Sequence, residues 1–131
     1  MARHSTPRQS RHIDVLDRLF AVIESRRGAA PSTSYTASLF AGGTEKIARK
    51  LGEESVETMI AGLIENKDRL VSESADLIYH LFVLLAARSL TPDHIWAELV
   101  KREGISGHAE KAARPKGAEK RAKTKKAKKK I

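Results

Sequence analysis

The sequence predicts an all-α fold, and three observations carry that reading. Apolar residues recur at three- and four-residue spacing in successive stretches. No stretch alternates polar and apolar residues as a half-buried strand would, and the helical stretches are bounded by capping residues and glycines. The 131 residues are 40% hydrophobic and 5% aromatic, which is enough to build a core. With no cysteine, disulfide scaffolding, thiolate catalysis and thiolate metal sites are excluded, while five histidines leave other metal sites open.

Residues 1–12 read as a flexible polar arm without the apolar stretch of a secretory signal. Ile13, Leu16, Leu19, Phe20 and Ile23 then mark an amphipathic helix over 14–26. Gly28, Pro31 and three hydroxyl residues suit a loop over 28–34 that ends in an N-cap at Ser34, and a short helix over 35–41 stops at Gly42 and Gly43. Thr44 is an N-cap for a long helix to about residue 65, with Ile47, Leu51, Val56, Met59, Ile60 and Leu63 surrounding much of the cylinder. A second long helix over 68–88 is apolar on nearly every side from Leu77 to Ala87, so both long helices call for burial within a bundle or at a dimer seam. Glu73, Asp76 and His80 interrupt its apolar run, and no membrane span is expected. Thr91, Pro92 and Asp93 supply an N-cap, a proline at the first helical position and an early acid, starting a helix through Arg102 that Gly104 stops. Residues 104–115 leave room for one short last helix, and residues 116–131 are a lysine-rich tail with too little apolar content to fold alone, read as disordered.

The formal charge of +9 belongs to the ends of the chain. Residues 116–131 hold nine Lys or Arg and one Glu, residues 1–11 hold three Arg and no acid, and the remainder has 13 bases against 15 acids. A slightly acidic folded part argues against a nucleic-acid surface on the domain itself. Contact with nucleic acid is left, at most and non-specifically, to the tail.

The acids of the long helices carry the functional argument. At 100° per residue, Lys46, Lys50, Glu53, Glu54 and Glu57 share one face, and Glu54 lies angularly close to Ile47 and Leu51, toward the packed side. On the next helix, Glu73 and Asp76 share a face with Leu77, His80 and Leu84, so both are expected to be buried. Either motif alone is common on a solvated helix. Together they gather inward carboxylates beyond the local supply of bases, and a buried unpaired carboxylate costs several kcal/mol, of the order given for ion burial. A divalent cation compensates most simply; magnesium takes hard oxygen ligands and touches substrate phosphates, with Lys46 and Lys50 as neutralising point charges. His80, one turn after Asp76, is either a packed core histidine or a partner of that acid. Tyr35 either stacks on a base or ribose or anchors the short helix.

Glu53-Glu54-x-x-Glu57 followed by Glu73-x-x-Asp76 resembles the all-α nucleoside triphosphate pyrophosphohydrolase superfamily, which includes MazG proteins and dimeric dUTPases. Residues 34–58, 73–99 and 101–114 are more closely similar to the phosphoribosyl-ATP pyrophosphohydrolases, the second enzyme of histidine biosynthesis, and this similarity spans about residues 13–115. The resemblance implies a MazG-like bundle completed by homodimerisation, in the cytoplasm, hydrolysing 1-(5-phosphoribosyl)-ATP to phosphoribosyl-AMP and pyrophosphate with magnesium. It implies Glu54, Glu57, Glu73 and Asp76 as metal ligands and Glu53 as the group that holds or deprotonates water. Lys46 and Lys50 would face the phosphates, and Lys111 and Arg114 would reach the substrate's 5-phosphate or the second subunit. His108 and the lysine tail depart from the family pattern. Two rival readings remain: a house-cleaning nucleotide pyrophosphohydrolase with the same metal chemistry, and a non-enzymatic helical nucleic-acid binder.

Overall fold

The computed structural model describes residues 7–105 and 107–114, and the side chains of 14–105, 107, 108 and 111–114. The described residues form five helices and no strand: α1 (Pro7–Ser25), α2 (Tyr35–Ile64), α3 (Lys67–Ala87), α4 (Pro92–Arg102) and α5 (Gly107–Ala113). The all-α expectation holds. The chain divides into two compact units, residues 1–94 and residues 95–131.

In the first unit α3 packs along α2 and also against α1. The two-residue link Glu65-Asn66 turns the chain back on itself, which makes α2 and α3 an antiparallel helical hairpin. Asn66 caps α3 by accepting from the Arg69 amide at 2.9 Å, and Ser34 caps α2 by accepting from the Ala37 amide at 3.2 Å, as its sequence position predicts. The expected break at Gly42 and Gly43 is present as a kink within α2, with Gly43 at φ 84° and ψ 171°. Glycine tolerates that backbone without a Cβ clash.

The core is built where the three helices meet. Ile23 of α1, Leu39 and Ile47 of α2, and Phe82 and Val83 of α3 are fully buried. Phe20 meets Phe82 edge to face at 6.0 Å. α3 has the length and mean apolarity of a membrane span. It nevertheless buries Glu73 and His80 against protein, as a core helix does.

Three expectations need correction. Helix α1 begins at Pro7 rather than near residue 14, so residues 7–12 of the expected arm are helical; proline's fixed φ suits a first helical turn. Residues 1–6 and the tail 116–131 lie outside the described residues. Asp76, expected to be buried with Glu73, is exposed. The two are three residues apart and so point about 60° apart around α3, and only Glu73 faces the seam with α2. Thirdly, the surrounding apolar residues of the long helices are only partly covered: Val56, Met59, Ile60, Leu63 and Ile64 of α2 and Val71 and Ile78 of α3 are exposed.

In the second unit, Lys101 and Arg102 occupy the last turn of α4, where cations complement the helix dipole, and Glu98 pairs with Arg102 at 3.1 Å. Gly104, at φ 75°, ends the segment as predicted.

Candidate active site

The acidic centre forms where α2 and α3 lie side by side. Glu54 and Glu57, one turn apart on α2, meet Glu73 of α3, and one ligand atom from each falls within 4.8 Å of the others. Glu73 is only 5% exposed. Its carboxyl is pushed above the ordinary value of 4.5, chiefly by burial and further by a hydrogen bond with Glu57, against the opposing pull of Arg69. The Thr58 hydroxyl joins the two helices beside it, donating to the Glu54 carbonyl at 2.8 Å and the Glu73 carbonyl at 3.1 Å.

Glu54 supplies the decisive detail. Its Oε2 is buried with no hydrogen-bond partner. An orphaned carboxylate oxygen beside two further carboxylates fits a hard divalent cation, which would satisfy all three at once.

One cation already faces the group. Arg69 donates to Glu73 Oε1 at 2.5 Å and lies 3.6 Å from Glu65, lining a cavity of about 210 Å³ with Glu57, Ile60, Glu65 and Glu73. The supply of bases is therefore less meagre than the sequence reading held. The signal was present as Glu65, Arg69 and Glu73 at successive four-residue spacing on adjoining turns.

Earlier along α2, Lys50 donates to Glu53 Oε2 at 2.9 Å. That hydrogen bond holds the Glu53 carboxyl below its ordinary range and raises the Lys50 ammonium above its own. Lys46, half-buried one turn earlier, lays its stem against Gly42, where any Cβ would overlap the Lys46 Cδ. A second group lies further along α3. Buried His80 contacts the Asp76 carbonyl through Nδ1 at 2.8 Å and the Tyr35 hydroxyl through Nε2 at 3.2 Å, while Tyr35 stacks on Tyr79 at 6.3 Å.

The structure thus brings together Glu54, Glu57 and Glu73 and sets Glu53, Lys50 and Lys46 along the same stretch of α2. Asp76 stands one turn beyond Glu73 and outside the three-carboxylate group. Lys111 and Arg114 belong to the second unit.

Residues 16–103 match the family model of phosphoribosyl-ATP pyrophosphohydrolase. The chain belongs to this family. Every acidic residue discussed above, with Lys46 and Lys50, falls inside the matched range, and Lys111 and Arg114 fall beyond it. Among curated relatives, the phosphoribosyl-ATP pyrophosphatase of Rhodospirillum rubrum is 54% identical over 103 residues, covering 79% of this chain and 88% of the relative. That of Azospirillum brasilense is 57% identical over 100 residues, covering 76% and 90%. That of Zymomonas mobilis is 58% identical over 96 residues, covering 73% and 90%. Membership of the phosphoribosyl-ATP pyrophosphohydrolase family favours the histidine-pathway reading over both rivals.

Proposed function

We propose that this chain hydrolyses 1-(5-phosphoribosyl)-ATP to phosphoribosyl-AMP and pyrophosphate, the second step of histidine biosynthesis, as a cytoplasmic homodimer. Family membership supplies the substrate class. The observation that carries the chemistry is the orphaned Glu54 oxygen among three gathered carboxylates.

Glu54, Glu57 and Glu73 would hold magnesium, with Asp76 joining them when its exposed carboxylate turns inward along α3. When bound, the ion polarises the phosphoryl oxygens and neutralises charge on the departing pyrophosphate. Water adds to phosphorus as the bond between the α- and β-phosphoryl groups breaks, and Glu53 takes the proton that water gives up. Paired with Lys50, Glu53 is a weak base. A phosphate that draws Lys50 away removes the hydrogen bond that depresses the Glu53 carboxyl, so substrate binding itself raises the basicity of the proton acceptor. Lys46, one turn back, adds a second point charge toward the same phosphates. Lys111 and Arg114, by the family resemblance, would bind the substrate's 5-phosphate or the second subunit.

The proposal of a partner subunit is supported by α2 and α3, on which the apolar side chains of Met59, Leu63, Ile64 and Val71 are exposed. The test is pyrophosphate release from phosphoribosyl-ATP with and without magnesium. Magnesium-dependent turnover faster than that of ordinary or oxidised nucleoside triphosphates is expected. Preference for the latter would move the chain to the house-cleaning branch.

A further inference from the structure

The carboxylates and lysines account for the polyphosphate end of a nucleotide and leave the base unread. A second side-chain group, unused by that chemistry, stands seven residues further along α3 from Glu73, about 10 Å at the helical rise. A nucleotide spans that interval between its polyphosphate and its base.

Tyr35 is 53% exposed, yet two neighbours, His80 and Tyr79, hold it. Its hydroxyl meets Nε2 of His80 at 3.2 Å, and its ring stacks on Tyr79 with an interplanar angle of 24°. Tyr79 is itself fixed by a hydrogen bond to Thr36 and by an edge contact with His80 at 5.0 Å. The His80 tautomer follows from its other bond. The Asp76 carbonyl can only accept, so Nδ1 donates to it, which leaves Nε2 directed at the Tyr35 hydroxyl. The ring is therefore fixed in orientation while its outer side faces solvent.

We propose that the exposed side of Tyr35, braced by His80 and Tyr79, is the platform that recognises the N1-substituted purine of the substrate. The inference rests on the proposed phosphoribosyl-ATP activity. An adenine alkylated at N1 holds a proton at neutral pH and is cationic, whereas the adenine of ATP is neutral. An electron-rich tyrosine face favours the cation, and stacking alone does not distinguish the two as strongly. Tyr35 is thus a specificity-determining residue, and His80 is a positioning residue acting through it.

The test compares 1-methyl-ATP with ATP, which differ at the purine and share the triphosphate. The wild-type chain is expected to release pyrophosphate from 1-methyl-ATP about tenfold more efficiently in kcat/KM, the size of a cation held over an aromatic face. Tyr35→Leu should bring the two substrates to within about twofold by raising KM for 1-methyl-ATP with kcat little changed, and Tyr35→Phe should keep most of the preference. His80→Ala should weaken the preference in the wild-type chain and add nothing in the Tyr35→Leu chain. An equal loss on both nucleotides, or an undiminished preference in Tyr35→Leu with unchanged helical circular dichroism, overturns the proposal while leaving the pyrophosphohydrolase reading intact. If the wild-type chain cleaves neither nucleotide, the activity is judged on phosphoribosyl-ATP itself. Calorimetric binding of 1-methyl-AMP against AMP then decides the platform without catalysis: a Tyr35-dependent preference sustains it, and equal affinity refutes it.

Discussion

Glu54 combines a buried, unpartnered oxygen with the metal-binding role proposed for it. Its buried oxygen has no partner, and the neighbouring acids add repulsion. Replacing it with glutamine removes charge at nearly constant volume and offers an amide donor to Glu57 or Glu73. Glu54→Gln is therefore expected to lose about a hundredfold or more in kcat, the usual cost of removing a key transition-state electrostatic group. It should also melt at the same temperature as the wild type or higher when metal is chelated. Magnesium should raise the wild-type melting temperature and leave that of the variant nearly unmoved, because a ligand stabilises only the state that binds it. A chelated variant that melts well below the wild type would show that Glu54 serves structure rather than metal. Glu73 gives the matching pH prediction. Its carboxyl is raised above 4.5, so the folded chain holds its proton more tightly than the unfolded chain. Its contribution to stability is therefore most favourable at low pH and is lost as pH climbs from about 4.5 through the raised folded value. Thermal melts in chelator across that window should show the decline, and Glu73→Gln should flatten it. The groups facing Glu73 from both helices, Glu57, Asp76 and Arg69, remain in that variant and provide its internal reference.

At the scale of the element, α2 is two helical stretches joined at a glycine of positive φ. Gly43 at φ 84° is open around its Cα, so an added Cβ meets no neighbour and only the backbone resists it. Gly43→Ala should cost about 1–2 kcal/mol from the left-handed conformation alone, read as a shift in the denaturation midpoint. Gly42 differs, because it sits under the Lys46 stem and its substitution pushes a flexible side chain rather than the main chain. Gly42→Ala should leave stability within about 0.5 kcal/mol and raise KM through the displaced Lys46 ammonium. An unchanged KM would remove Lys46 from the phosphate site. Both glycines were legible as a helix break. The use of one as a kink and the other as a bed for lysine was not, since both look alike in a string of letters.

For the whole molecule, the exposed apolar residues of α2 and α3 are the surface that the proposed homodimer would bury. Leu63 is 76% and Ile64 is 81% exposed, values at odds with the apolar sequence around them. Leu63→Lys should convert a homodimer to monomers in light scattering while keeping helical circular dichroism; a wild-type chain that is already monomeric would refute the seam. Removing residues 116–131 should abolish any salt-sensitive binding of nucleic acid and leave pyrophosphate release unchanged, because that segment carries the basic excess and none of the acids proposed to hold the metal. The sequence by itself determined the helices, the break before Gly43, and the two acidic motifs, because caps, glycines and 3.6-residue periodicity are local properties that survive without a partner helix. Tertiary structure alone decided that Glu73 turns into the seam while Asp76 stays in water, and that His80 fixes Tyr35. Each of those outcomes depends on how α2 and α3 are rotated about their axes against one another. Periodicity constrains such a rotation only to within the width of an apolar stripe, and on helices apolar nearly all round that stripe has no edge.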